Sequence, residues 1–243
     1  CANLGENARK YLQETQNVSV PGFIEIAEQV AQGLSYAHSQ GVLHLHLTEK
    51  NILIQKEHRN RVVLSEFGVS RFVSEATLSS HSNTTTGILG ISGYIAPEQV
   101  DAKNPETEAT DVYSFGCFMY QILTGAPPFK NVGAFDLARS HAEEDVMPIE
   151  KTRSDLPLEL SDVIARSLRK NPKDRCSLKE TLMVLEKVKN DLLIEEAFQT
   201  NEGQALIKEK FGEKILWKWW LILPTLALIL TIVTLLVIPL FKK

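Results

Sequence analysis

Apolar residues recur along much of the chain at the spacing of amphipathic helices. Between Phe23 and Ala37 they follow one another at intervals of four and three residues, which predicts a helix. Gly41 lies just beyond this stripe and predicts its end. Residues 112–123 are apolar nearly all round, which predicts a central buried helix that ends at Gly125. Two further helices are predicted at residues 158–169 and 178–193.

Two short apolar runs have the character of strands. Residues 52–54 and 62–64 are separated by the polar stretch 56–61, which predicts a small β-hairpin. The pattern as a whole predicts a mainly α fold with a minor β part.

A long uncharged run lies near the carboxyl end. Positions 219–241 hold 23 residues without a charge, and a helix of this length would reach roughly 34 Å, enough to cross a bilayer. Tryptophans at one end and lysines at the other are typical of membrane interfaces. We therefore predict a single transmembrane helix at 217–241, the alternative being a buried helix of a large domain.

The same run divides the chain into three parts. Residues 1–198 are predicted to be globular, and residues 199–216 form a polar juxtamembrane linker ahead of the span at 217–241. Four lysines precede the span at short range and two follow it, so the positive-inside rule places the globular part on the cytoplasmic side of a membrane.

Composition narrows the set of partners. The 243 residues carry a net charge of −4, which gives no general attraction to nucleic acid. Cys1, Cys117 and Cys176 are isolated and match neither a disulfide framework nor a metal knuckle, which favours a reducing environment.

Several motifs together resemble the C-terminal lobe of the eukaryotic-type protein kinase superfamily. Residues 93–98 (GYIAPE) match its APE motif, residues 111–116 (DVYSFG) match the start of its central helix, and residues 168–175 match the segment that ends in an arginine. The resemblance runs from about Leu4 to Leu193. It implies that residues 1–198 are a kinase-like C-lobe, mainly α within a family that is α+β overall.

The resemblance implies structural roles for several residues. Arg175 would form a bidentate pair with Glu98, and the carboxylate of Asp111 would hold the catalytic loop by accepting backbone N–H groups. The full set of structural positions is His44, Phe67, Gly68, Glu98, Asp111 and Arg175.

The catalytic loop HLHLTEKN departs from the family pattern at charged positions. His46 stands where the family has its catalytic aspartate, Leu45 where it has an arginine, and Thr48 where serine/threonine kinases have a lysine. Asn51 and Glu66 stand at the positions that hold Mg²⁺, although Glu66 replaces an aspartate. The resemblance thus implies a site that has lost phosphotransfer activity. The alternative is that His46 acts as the general base.

A hydroxyl-rich segment at 74–86 occupies the place of an activation loop. Phosphorylation there is one hypothesis, but Leu45 replaces the arginine that would pair with the phosphate, and the alternative is a solvated loop. The threonine that usually follows the activation loop's glycine aligns with Ile91.

In the family that this chain resembles, nucleotide binding also requires an N-terminal lobe. The chain contains no GxGxxG or VAIK-like string, and residues 1–3 resemble the end of the hinge between the lobes. The resemblance therefore implies ATP and Mg²⁺ as cofactors only if an N-terminal lobe is supplied.

These observations leave three hypotheses. The first is a membrane-anchored pseudokinase that regulates or scaffolds a protein partner through its C-lobe surface. The second is a fragment of an active serine/threonine or tyrosine kinase. The third is a degenerate product without a selected role.

Overall fold

The computed structural model describes residues 6–14, 18–55, 61–67, 93–101, 105–130 and 133–199. The chain divides into two compact units, Cys1–Asn190 and Asp191–Lys243. The described part of the second unit is the end of one helix. Everything that follows concerns the first unit.

The described residues are mainly helical. They form a strand β1 (Glu6–Asn7), helices α1 (Ala8–Glu14) and α2 (Val20–Ser39), strands β2 (Ile52–Gln55) and β3 (Arg61–Leu64), and helices α3 (Pro97–Asp101), α4 (Glu108–Thr124), α5 (Ala134–Glu143), α6 (Leu158–Ser167) and α7 (Leu178–Gln199). Short 3₁₀ turns lie at Ile149–Lys151 and Pro172–Asp174.

Helix α2 forms where the apolar stripe predicts it. The Ser19 hydroxyl caps its first turn by accepting the N–H of Gly22, and Pro21 lies within that turn, where its missing N–H costs little. The buried face runs from Phe23 to Leu34. Beyond the carboxyl end, Gly41 has a φ of 71°, a left-handed conformation that glycine adopts without strain.

Helix α4 is the buried centre of the unit. Every residue from Thr110 to Leu123 except Gln121 is buried, as the apolar run predicts. Thr107 and Thr110 form a reciprocal capping box at its start, and Gly125 closes it with a φ of 75°. Helix α2 packs against α4.

The strands form a three-stranded antiparallel sheet in the order β1-β2-β3. The β2–β3 hairpin is confirmed at the predicted positions. Strand β1 was not predicted, because a two-residue strand shows no alternation in the sequence.

The predicted fold class is corrected in one respect, the C-terminal transmembrane helix. Among the described residues, no helix is both long enough and apolar enough to cross a bilayer. Helices α2 and α7 have the length, with 20 and 22 residues, but each carries charged side chains. Positions 217–241 lie outside the described residues, and the membrane localisation deduced from them stays a prediction.

Helix α5 carries a buried, neutral imidazole, that of His141. His141 is fully buried, its Nδ1 lies 3.0 Å from the Tyr113 hydroxyl, and its ring packs edge-on against Phe129. Burial, and then the nearby charge of Lys170, lower the pKa of His141 from its ordinary 6.5 to about 4. Between about pH 4 and pH 6.5, His141 is therefore unprotonated in the folded state but protonated in the unfolded chain.

This depressed pKa predicts acid destabilisation between about pH 6.5 and pH 4. Unfolding takes up a proton in this window, so stability falls as the pH falls, by up to about 3 kcal/mol from His141. Urea denaturation of the chain and of His141→Asn at several pH values measures this. The unfolding free energy of the variant should fall markedly less between pH 7 and pH 4. An equal fall in the two proteins would contradict the depressed pKa of His141.

Candidate active site

Two loops meet at one end of the β2–β3 hairpin. The catalytic loop (residues 44–51) precedes β2, and the metal-loop segment (residues 65–67) follows β3. The backbone N–H and the hydroxyl of Ser65 both donate to the carbonyl oxygen of Asn51, at 2.9 and 3.1 Å. The hairpin therefore brings the predicted Mg²⁺-binding positions Asn51 and Glu66 to the same end of its two strands.

The carboxylate of Asp111 holds the start of the catalytic loop. Its Oδ2 accepts the backbone N–H of His44 at 2.8 Å, and its Oδ1 accepts that of Leu45 at 2.7 Å. The Nε2 of His38, at the end of α2, lies 2.7 Å from Oδ2. Asp111 is fully buried in the first turn of α4, so the central helix fixes the loop directly.

Two residues of the site have left-handed backbones although neither is glycine. Leu45 has a φ of 61° and Glu66 a φ of 64°. Such a conformation costs on the order of 1–3 kcal/mol and persists only where the surroundings enforce it. Both loops therefore keep a strained backbone next to their chemically important positions, His46 and Glu66 itself.

The Asn51 side chain forms two hydrogen bonds within the catalytic loop. Its Oδ1 accepts the backbone N–H of Thr48 at 2.8 Å, and its Nδ2 donates to the carbonyl of His46 at 2.7 Å. Asn51 is almost fully buried. Because a carbonyl oxygen has two lone pairs, Oδ1 keeps one for a further partner.

The two histidines of the loop have different surroundings. His44 is fully buried, and its ring lies 4.4 Å from that of Phe67 between centroids. Burial lowers the pKa of His44 despite the opposing charge of Asp111, so this ring is a packing group. His46 is half-buried, and in sequence it aligns with the residue that the resemblance identifies as the catalytic aspartate.

The Glu98–Arg175 pair forms a buried bidentate bridge. Arg175 donates to the two carboxylate oxygens of Glu98, both at 2.7 Å, and the side chains are 0% and 1% exposed. The Thr110 hydroxyl also donates to Glu98. The remaining guanidinium N–H groups donate to the backbone carbonyls of Ala109, Arg169 and Lys170.

The charge of Glu98 is stabilised by these partners. Burial alone would raise the pKa of Glu98, but the hydrogen bonds and the positive charge of Arg175 outweigh it, and the pKa lies below the ordinary value. The pair fastens α3 to the segment that precedes α7.

Some site positions were missed by the sequence, and others lie outside the described residues. His38 and Gln99 both contact the catalytic loop, but no sequence motif distinguishes a single polar residue near a helix end from an exposed one. Gly68, Ile91 and the hydroxyl-rich segment 74–86 lie outside the described residues.

Comparison with known proteins agrees with this geometry. The family model described as "Protein kinase domain" matches residues 2–185. Serine/threonine-protein kinase PknB of Mycolicibacterium smegmatis is 34% identical over 152 residues, which are 63% of this chain and 24% of the relative. Probable serine/threonine-protein kinases of Clostridium acetobutylicum and Clostridium perfringens are 28% and 30% identical, each over 77% of this chain and over 28% and 26% of their own lengths. The chain thus spans about a quarter of the length of these relatives.

The buried ion pair predicts a large loss of stability on truncation. Arg175→Ala leaves the charge of Glu98 buried without its partner, which should cost about 3–5 kcal/mol of unfolding free energy. Arg166→Ala is the matched control, because its pair with Glu180 is 37% and 50% exposed and should contribute no more than about 1 kcal/mol. Chemical denaturation checks both, and equal losses in the two variants would contradict the structural role of Arg175.

Proposed function

Because the chain belongs to the protein kinase family, we propose that it forms the C-terminal lobe of a serine/threonine protein kinase. In this proposal the lobe presents the catalytic loop to a protein substrate and contributes ligands for magnesium-bound ATP. The serine/threonine class is taken from the names of the relatives.

One observation supports the proposal: each of the two loops has a left-handed backbone at or next to a candidate catalytic position. Leu45 and Glu66 keep left-handed φ angles, and the buried carboxylate of Asp111 fixes the first of them. Strained residues of this kind cluster at active sites, where the surrounding structure enforces them. Their presence at both loops favours a working site over a degenerate product.

The residues at the metal positions fit Mg²⁺. The free lone pair of Asn51 Oδ1 and the exposed carboxylate of Glu66 are oxygen donors, the type this ion prefers. The described residues contain no cluster of three or more His, Cys, Asp or Glu side chains that could hold a metal. Mg²⁺ usually takes its other ligands from phosphate oxygens and water. When bound, the ion neutralises charge on the transferring phosphate.

The side chains of the catalytic loop favour a slow transfer step. His46 offers a ring nitrogen where the family has a carboxylate, and Leu45 and Thr48 add no charge. A positioned general base contributes about 10²–10⁴-fold, so its replacement lowers the rate without removing the positioning that Asn51 and Glu66 supply. We infer a kinase lobe with weak phosphotransfer.

A second candidate is a regulatory lobe that no longer transfers phosphate and acts by binding a protein partner. The observation in its favour is that His46, Leu45 and Thr48 all replace polar or charged groups that act together. A lobe of this kind keeps the fold and the Glu98–Arg175 pair, since these support the surface rather than the chemistry.

A phosphotransfer assay tests the proposal directly. The longest natural product of the gene, the variant His46→Asp and the variant Glu66→Ala are compared with labelled ATP and a generic serine/threonine protein substrate. We expect slow transfer in the natural sequence, at least about 100-fold faster transfer in His46→Asp, and loss of transfer in Glu66→Ala.

Each remaining outcome is informative. Absence of transfer in both the natural sequence and His46→Asp would overturn the kinase proposal and favour the regulatory lobe. Transfer at an ordinary rate that His46→Asp does not raise would contradict the role given to His46. Thermal melts of all three proteins ensure that the comparison is made between folded chains.

A further inference from the structure

A single amide side chain bridges helix α3 and the catalytic loop. The Nε2 of Gln99 donates to the backbone carbonyl of Leu45 at 3.0 Å and to Oε1 of Glu106 at 3.0 Å. Its Oε1 accepts the backbone N–H of Ala96 at 3.1 Å. Gln99 is half-buried, so these bonds form in surroundings partly shielded from water.

The contacts fix the orientation of this amide. A flipped side chain would place Oε1 against the carbonyl of Leu45 and the carboxylate of Glu106, two acceptors, and would aim Nε2 at the N–H of Ala96. Only the observed orientation satisfies all three neighbours. The Nε2 of Gln99 therefore donates to the carbonyl of Leu45 in the catalytic loop.

Leu45 is held from both sides as a result. Its N–H donates to Asp111 at 2.7 Å and its carbonyl accepts from Gln99 at 3.0 Å, and its φ is 61°. The carbonyl of Leu45 and the N–H of His46 belong to one peptide group, which is planar. The hydrogen bond from Gln99 thus restrains the peptide group that leads into His46.

The other end of the bridge is firmly anchored. Gln99 follows Glu98 in α3, and Glu98 is bound by Arg175 through two bonds of 2.7 Å. Ala96, which donates to Gln99, comes directly before α3. The bridge therefore connects the catalytic loop to a helix that is itself fixed to the segment before α7.

We propose that Gln99 is a positioning residue, which orients the Leu45–His46 peptide and couples it to helix α3. The inference rests on the proposed function, because it concerns the same catalytic loop. The position of the family's loop arginine is held here by Leu45, whose side chain has no polar group. Among the described residues of α3, Gln99 is the one whose side chain is hydrogen-bonded to the catalytic loop.

Amide hydrogen exchange on the full chain tests this. In Gln99→Glu the carboxylate keeps the acceptor for Ala96 but faces the acceptors of Leu45 and Glu106. Loop amides, read as the peptide that covers residues 44–51, should exchange roughly three- to tenfold faster than in the parent, while helix α4 is unchanged. Glu106→Gln is the matched control, since it keeps an acceptor for Gln99, and its exchange should stay within about twofold of the parent.

A pH series separates positioning from a general loss of stability. Protonation of the carboxyl in Gln99→Glu restores a donor, so the ratio of its loop exchange to that of the parent should fall towards one as the pH falls. A merely structural defect would leave the ratio unchanged. Should Gln99→Glu fail to fold, Gln99→Met, which has a similar length and no polar group, replaces it in the same exchange measurement.

The outcomes distinguish this inference from the proposed function. Loop exchange within about twofold of the parent, or a rise that is equal in the loop and in α4, would overturn the role of Gln99. Phosphotransfer by the longest natural product and its Gln99→Glu variant is measured in parallel. Faster loop exchange in Gln99→Glu, together with no transfer by either the natural product or its His46→Asp variant, would retain the positioning role and reject the kinase proposal.

Discussion

The buried carboxylate of Asp111 is the constraint on which the rest of the site depends. It lies in the first turn of the central helix α4, accepts two backbone N–H groups of the catalytic loop, and also contacts His38 from α2. A buried charge that lost these partners would be costly, so the helix and the loop stabilise each other. The strained φ of Leu45 follows from this arrangement, because the loop must turn sharply to bring two successive N–H groups to one carboxylate.

The site separates what the backbone does from what the side chains do. Asp111, Asn51 and the hairpin hold the loop in position, and none of these bonds uses the side chain of Leu45 or His46. A substitution at the half-buried His46 can therefore change the chemistry without breaking these bonds, whereas the Leu45 side chain is buried in the core. This explains how a chain can belong to the protein kinase family while its loop lacks the aspartate. It also explains why we expect a lower rate rather than a collapsed site.

The sequence predicted the parts of the fold that have strong local signals. The run that is apolar on all sides, together with Gly125, identified α4. The two short apolar runs at 52–54 and 62–64 identified the β2–β3 hairpin. Strand β1 and the contacts of Gln99 and His38 were not predictable, because they depend on which residues the fold brings together. The transmembrane helix was deduced from apolar length and from the flanking tryptophans and lysines, and the described residues contain no helix of that kind.

Amide exchange in Asp111→Asn tests the central claim most directly. In asparagine an NH₂ group replaces one of the two carboxylate oxygens and faces a backbone N–H donor, so the variant cannot hold both N–H groups as the carboxylate does. If α4 fixes the catalytic loop through this residue, residues 44–51 should exchange at least about tenfold faster than in the parent, with the core of α4 still protected. Unchanged protection of the loop in a folded variant would contradict the account.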